Sequence, residues 1–296
     1  MTGFLFLTDM FNEIAKQLSK HFNQLINIID HKQIYGGDIN QSYHLQTNIG
    51  SFFLKINDSG LNDMFEKEFD GLQLLYQTKT IKIPKPILYG SFENKIFLIT
   101  EFIEKEKPSK NFWQTFAQQL AALHKHTHEQ FGLSSSNYIG SLHQQNYYCN
   151  TWSEFYTTQR IMPLVQLAFS QNKCGRQDVL LAEKLCKSLH NLFPEEKPSL
   201  LHGDLWSGNF MSDENGKPVI YDPAVYYGNR EMDIAMSLLF GGFDKNFYDF
   251  YNEIFPLQTG WKERIQLCQL YPLLVHLVLF GGHYYFSVMD IIKAYS

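Results

Sequence analysis

The stretch LLHGDLWSGNF, Leu200 to Phe210, interrupts an apolar run with an acid, an amide, a tryptophan and two glycines. Polar groups of this kind cost free energy to desolvate, and a turn alone needs only the Gly, Ser and Asn. The surplus polarity points to chemistry. Just downstream, SDENGK (212–217) is a hairpin signal between two short apolar runs. Such a hairpin brings Asn209 towards Asp222, so that Asp204, Asn209 and Asp222 form a candidate set. An amide oxygen beside a carboxylate offers hard ligands suited to Mg²⁺, which keeps waters and takes further oxygens from phosphates. Asp204, slightly offset, is placed to accept a proton from an attacking hydroxyl.

Working outward from that island, the N-terminal side is β-rich. Phe11, Ile14, Leu18, Phe22, Leu25 and Ile29 recur at helical spacing and predict an opening amphipathic helix through residue 29. QIYGGDINQSYHLQTNIGSFFLKIN (33–57) reads as a hairpin turning at Asn48-Ile49-Gly50. A second helix is predicted from Asn62 to Gln77, with Phe65, Phe69, Leu72 and Tyr76 on one face. At about 100° per residue, Glu68 falls among Leu61, Leu72 and Leu75 and faces inward, while Glu66 faces solvent. In IKIPKPILYGSFENKIFLITEFIE (81–104), Pro84 and Pro86 exclude helix, and the stretch reads as strand, turn and strand.

After Glu104 the composition shifts to KEKPSK, and from Phe112 helical periodicity takes over. Phe116, Leu120 and Leu123 mark one helix; residues 147–169 and 178–193 predict two more. The expected division is residues 1–104, a nucleotide-binding lobe of β-sheet with helices, and residues 105–296, a helical lobe carrying the catalytic loop and substrate site.

The totals narrow the partners. Hydrophobic residues make up 44% and aromatics 16% of 296 residues, which suits a packed enzyme. With 25 basic against 30 acidic residues the net charge is −5, so nothing draws the whole molecule to nucleic acid or an anionic membrane. A small solute is the expected partner. Cys149, Cys174, Cys186 and Cys268 are scattered, without the spacing of a zinc site or disulfide framework. No signal peptide or membrane span is read, and the expected location is cytoplasmic.

The pattern H-G-D-x-x-x-x-N followed by an Asp resembles the catalytic and metal loops of the protein-kinase-like phosphotransferases. Lys55, ending FFLK, and the inward Glu68 match in order and spacing the Lys–Glu pair that holds nucleotide phosphates there. GGDINQSY, FFLKIN, MFEKEFDGL, IPKPILYGSF, HGDLWSGN, YDPAVYYGNREMDIAMSLLFGGF and LVLFGGHYY together resemble the fructosamine/ketosamine-3-kinase family over nearly the whole chain. The Trp of the loop is not part of the generic pattern. The resemblance implies an α+β, bilobal protein-kinase-like fold, with a small N-lobe built on an antiparallel sheet and a larger, mainly helical C-lobe. It also implies ATP-dependent phosphorylation, with Mg²⁺, of the sugar O3 of ketoamines such as ribulosamines and fructosamines on amines or proteins, a repair of glycation.

Roles follow from these matches. Asp204 is the expected base, and Asn209 and Asp222 the metal ligands. Lys55 and Glu68 hold phosphates; Lys55 taken alone also reads as an edge-strand charge. Gly36 and Gly37 let backbone amides approach phosphate oxygens. The backbone of Glu101 and Ile103 pairs with adenine. Trp206 forms a wall for the sugar or its amine, core packing being the other reading. Asp233 braces the catalytic loop. Arg230 and Glu231 read as a structural ion pair, substrate contact being the other reading, and HKHTH (124–128) as a helix end with one buried His.

Two departures from related patterns matter. Asp38 stands where some family members have a redox-active cysteine, so no thiol switch of that kind is expected. Asp222-Pro223-Ala224 replaces D-F-G, and ten residues separate Asp222 from Asp233, too few for a protein kinase's activation segment. A small substrate is implied. An aminoglycoside-, choline- or homoserine-type phosphotransferase shares the Asp/Asn/Asp set and is the alternative, against which Trp206 and YGNREMD speak. A nucleotide-binding protein without catalysis would be expected to have lost one of these positions, and none is lost.

Overall fold

The computed structural model describes residues 2–35, 40–61 and 63–296. Its first helix, α1 (Thr2–Phe22), lies over a five-stranded antiparallel sheet of order β1-β2-β3-β5-β4. The strands are β1 (Ile28–Ile34), β2 (Gln41–Thr47), β3 (Gly50–Asp58), β4 (Pro86–Phe92) and β5 (Lys95–Glu101). Side chains alternate across a strand, and the two faces take different partners. Tyr43, Leu45, Phe52, Leu54, Phe97 and Ile99 meet Met10, Phe11, Ile14 and Leu18 of α1. Ile96 and Leu98 instead meet Phe65, Leu72 and Leu75 of α2 (Met64–Thr78). Lys55 lies on this second face.

The opening helix stops earlier than its periodicity predicts. Asn23 takes a left-handed conformation, φ 52°, at the helix end, where Asn is one of the few residues tolerated. Ser19 Oγ then accepts the Ile26 N–H at 2.8 Å and turns the chain towards β1. Leu25 and Ile29 are left 74% and 66% exposed, so their helical spacing carried no structure.

The rest of the chain is mainly helical: α3 (Phe112–His124), the small hairpin β6 (Asn137–Ile139) and β7 (Leu142–Gln144), α4 (Trp152–Phe155), α5 (Met162–Ser170) and α6 (Arg176–Leu192). The stretch expected as a single helix over 147–169 begins at Trp152 and carries a π-helical turn, Tyr156–Ile161, between α4 and α5. The β-rich island follows as β8 (Ser199–Leu201), β9 (Phe210–Ser212), β10 (Pro218–Ile220) and β11 (Tyr226–Gly228). Four helices close the chain: α7 (Glu231–Leu239), α8 (Lys245–Ile254), α9 (Trp261–Phe280) and α10 (Tyr284–Tyr295). No helix of the described residues is long and apolar enough to cross a membrane.

The sheet and the helical part meet along a continuous apolar seam, in which Leu72 and Leu98 pack with Phe116, Leu200, Ile220 and Val225. Polar contacts tie the same seam. Lys82 Nζ pairs with Asp213 at 2.9 Å and Glu214 at 3.2 Å, the Ile220 N–H donates to Lys82 O at 3.2 Å, and Glu106 N–H donates to Ser212 O at 3.1 Å. Lys82 and Asp213 titrate away from each other: Lys82 is raised and Asp213 lowered, burial opposing both shifts and their mutual contact overcoming it.

Candidate active site

Hairpin β9–β10 aligns Phe210 with Ile220, and the Tyr221 N–H donates to Asn209 O at 3.1 Å. The two ends of the hairpin therefore carry Asn209 and Asp222 into one place. Asn209 Nδ2 donates to Asp204 Oδ2 at 3.0 Å, to Asp204 O at 2.9 Å and to Asp222 O at 3.5 Å. With its nitrogen so engaged, Asn209 is left to present its amide oxygen. From the sheet side, Lys55 Nζ bridges Glu68 Oε1 at 2.7 Å and Asp222 Oδ1. Residues from β3, α2 and both ends of the β9–β10 hairpin thus converge on one place.

The loop that carries Asp204 is held from below by Asp233. The carboxylate accepts the N–H of His202 at 2.8 Å and of Gly203 at 2.9 Å, and contacts His124 Nε2 at 3.1 Å. Burial works to raise the Asp233 pKa, but His124, His202 and the Gly203 N–H outweigh it and hold the group below the usual carboxylate value. Asp233 therefore stays ionised. His124 also contacts the Tyr251 hydroxyl at 2.7 Å, as the buried histidine at the end of α3. Gly203 has φ 83°, and an added Cβ would lie 2.0 Å from Ala224 O. Only glycine lets the Asp204 loop and the segment after Asp222 approach this closely.

Electrostatics separate the acids. Burial, with a smaller contribution from Asp222 and Asp233, pushes the Asp204 carboxyl up to about 7 despite the Asn209 donor. Lys55 is buried, which lowers its pKa, yet Asp222 and Glu68 more than compensate and raise it above the ordinary lysine value. Lys55 is thus a fixed cation, and the Asp204 carboxyl is poised near neutrality.

Other expected site residues are placed as follows. Glu101 ends β5, with its N–H donated to Lys85 O at 2.8 Å, and Ile103 follows, buried, in the connection to the helical part. Trp206 is 36% exposed, its ring packed over Gly208, where a Cβ would fall 2.3 Å from an indole carbon. Its other neighbour is Phe240, at 6.0 Å between centroids in an edge arrangement. Glu66 is exposed at its side chain, 44%, and pairs only loosely with Lys67. Arg230 and Glu231 do not pair with each other: Arg230 binds Glu196 at 2.7 Å, and Glu231 binds Arg264 at 2.5 Å. Gly36, Gly37 and Asp38 lie outside the described residues.

Among the described residues no group of three or more His, Cys, Asp or Glu side chains could hold a metal ion. One amide oxygen and one carboxylate form the sparse type of site that Mg²⁺ accepts when phosphates supply the other ligands. Asn209 and Asp222 fit that ion.

The fructosamine kinase family model matches residues 10–296. The chain belongs to the fructosamine kinase family. A chain of Enterococcus faecium named probable ketoamine kinase is 43% identical over 256 residues, covering 85% of this chain and 90% of its own. A crystal structure from Haemophilus somnus assigned to fructosamine-3-kinase superposes with a TM-score of 0.87 at 31% identity, covering 95% of this chain and 96% of its own. The streptomycin–ATP ternary complex of APH(2")-IIa has a TM-score of 0.63 at 17% identity, covering 95% of both chains, and shares the fold alone. The fold is thus the bilobal, protein-kinase-like α+β architecture, and family membership extends over both halves.

Sequence reasoning missed the Lys82–Asp213 tie and a set of buried amides at Asn137, Gln144 and Asn146. The amides stand alone in polar loop sequence, and no periodicity marks them.

Proposed function

We propose that the protein is an ATP-dependent ketosamine 3-kinase, transferring the terminal phosphoryl group to the sugar O3 of a ribulosamine- or fructosamine-type ketoamine. The observation that carries this reading is the convergence of Asp204, Asn209, Asp222 and the Lys55–Glu68 pair on one place within a fructosamine kinase chain. In this reading the sheet-bearing lobe, residues 1–104, holds nucleotide, and residues 105–296 bring catalytic loop and acceptor to it. Lys55, oriented by Glu68, pairs with nucleotide phosphates, and backbone groups of Glu101 and Ile103 take the adenine edge. Gly36 and Gly37 would line the phosphates from above.

Asp204 orients the acceptor hydroxyl and takes its proton late in a loose transfer. A carboxyl near 7 is matched to that task at physiological pH. Asn209 Oδ1 and Asp222 would hold Mg²⁺, which, when bound, spreads the charge of the transferring phosphoryl group. Asp233 keeps the loop geometry. Trp206 forms a wall for the sugar or the amine attached to it, an aromatic face suited to a cationic ketoamine nitrogen. The described cysteines are all free, which suits a reducing cytoplasmic setting. We expect the acceptor to be a small ketoamine or a glycated amine or protein.

A substrate panel tests this. Ribuloselysine, fructoselysine, choline and kanamycin are offered with ATP and Mg²⁺, and product mass is followed. We expect phosphate on the ketoamines; transfer to choline or kanamycin alone would overturn the reading.

A further inference from the structure

Asp222 sits in the left-handed region at φ 56°, which costs a non-glycine residue on the order of 1 kcal/mol and persists only where neighbours impose it. Asp222 itself is held by Lys55 Nζ at its carboxylate and by Asn209 Nδ2 at its carbonyl, and the residues after it are held by buried amides. Just beyond it, Val225 O accepts from Asn137 Nδ2 at 2.8 Å and Ala224 O accepts from Gln144 Nε2 at 3.1 Å. Asn137 Oδ1 accepts from Gln144 Nε2 at 2.7 Å and from Asn146 Nδ2 at 2.9 Å. Tyr271 Oη donates to Gln144 Oε1 at 2.6 Å. Asn146 Oδ1 accepts from Arg160 Nη2 at 2.7 Å. Asn137, Gln144, Asn146 and Arg160 are all at least 95% buried.

Arg160 heads this chain of bonds. It comes from the π-helical turn, is completely buried, and has no carboxylate within ion-pair distance among the described residues. Its guanidinium lies over the rings of Tyr226, Phe155 and Tyr271, at 4.1, 4.5 and 5.2 Å. Burying an unpaired cation is costly, so its neighbours must use it. A guanidinium can only donate hydrogen bonds. Asn146 must therefore turn its oxygen to Arg160 and its nitrogen to Asn137. Asn137 must then accept there and turn its own nitrogen to Val225 O. The cation fixes the direction of every amide in line, and the line ends on the backbone that presents Asp222.

We infer that Arg160, acting through Asn146, Asn137 and Gln144, is a positioning device for the metal-binding carboxylate of Asp222, an inference that rests on the reading of Asn209 and Asp222 as the metal pair. The device holds residues 224–226, the backbone that follows Asp222, in one arrangement, where a protein kinase has a segment able to switch. Its four side chains are buried from solvent. Their effect is read in metal binding.

The test is calorimetric titration of the full chain with a non-hydrolysable ATP analogue, in EDTA and again with Mn²⁺ or Mg²⁺. Asn137→Asp places a carboxylate against Val225 O and removes the donor. It should lower the metal-dependent gain in analogue affinity by about tenfold, the effect of losing one buried hydrogen bond, while affinity in EDTA stays within about twofold. Arg160→Met should do the same, and Arg160→Lys, which keeps a cationic donor, should restore most of the gain. Gln144→Met keeps the volume, removes one of the two donors to the backbone, and should lower the gain by about threefold; it carries the test if the harsher variants do not fold. A metal-dependent gain unchanged in folded variants, or a loss equal with and without metal, would overturn the device alone. Wild-type binding indifferent to metal would overturn the reading of Asn209 and Asp222, and the device with it.

Discussion

Replacing Asp204 by Asn should silence transfer and, at neutral to alkaline pH, stabilise the protein. The Asp204 carboxyl is pushed up to about 7 in the folded chain, against ~3.9 in an unfolded one. Between these values the folded state holds a proton that the unfolded state has lost, so stability falls as pH rises through that window. The penalty is absent below pH ~4 and complete above pH ~7. Its full size would be ~4 kcal/mol. Asp204 is only half-buried, and screening by cleft water reduces the expected value to ~2 kcal/mol. Asparagine keeps the shape and retains an oxygen for the Asn209 donor, which now lies 3.0 Å from Asp204 Oδ2. At ~2 °C per kcal/mol for a chain of this size, the Asn variant should melt about 4 °C higher at pH 8 and under about 1 °C higher at pH 4. Thermal melts from pH 4 to 9 without nucleotide, run beside kcat measurements, read both effects. A variant that melts at or below wild type at pH 8 would mean that the Asp204 carboxylate ionises in the fold at no cost, contrary to its raised pKa.

Four further outcomes follow from the same geometry. Turnover of the wild type should rise with pH through an ionisation near 7, since Asp204 must be ionised to take a proton; a pH–kcat profile flat from 5 to 8 would exclude it as the base. Lys55→Met leaves Glu68 and Asp222 without their shared cation and should weaken ATP binding by about tenfold or more, read by titration, the loss expected for a charge-assisted contact. Gly203→Ala forces a Cβ to 2.0 Å from Ala224 O at φ 83° and should cost ~3 kcal/mol in chemical denaturation, with loss of activity. Trp206→Ala should raise the KM for a ketoamine by about tenfold while leaving ATP affinity unchanged, since a ring over a cation contributes ~1–2 kcal/mol.

The parts of the site legible in the sequence are those set by short-range patterns. The SDENGK turn fixes the pairing of β9 with β10, and that pairing alone carries Asn209 to Asp222. Glu68 faces inward because helical spacing places it among leucines, and the structure puts it 2.7 Å from Lys55. The end of α1 was not legible, since Leu25 and Ile29 continue the helical spacing by chance while Asn23 breaks the backbone. Arg160 was hidden for a related reason. It lies inside the stretch 147–169 read as one helix, and only the wider π turn and the rings of Phe155, Tyr226 and Tyr271 reveal it as buried. Long-range polar contacts such as Lys82–Asp213 join residues 131 positions apart and leave no local trace.

In the proposed reaction Asp204, Asn209, Asp222 and Lys55 act on one phosphoryl group and one ketoamine hydroxyl. A crystal structure with Mg²⁺, a non-hydrolysable ATP analogue and a ribulosamine tests it most directly. The expected complex has the sugar O3 within about 3 Å of Asp204 and in line with the terminal phosphorus, the metal on Asn209 Oδ1 and Asp222, and Lys55 on the phosphates. A different hydroxyl facing Asp204, or phosphates bound away from Lys55 and Asp222, would contradict it.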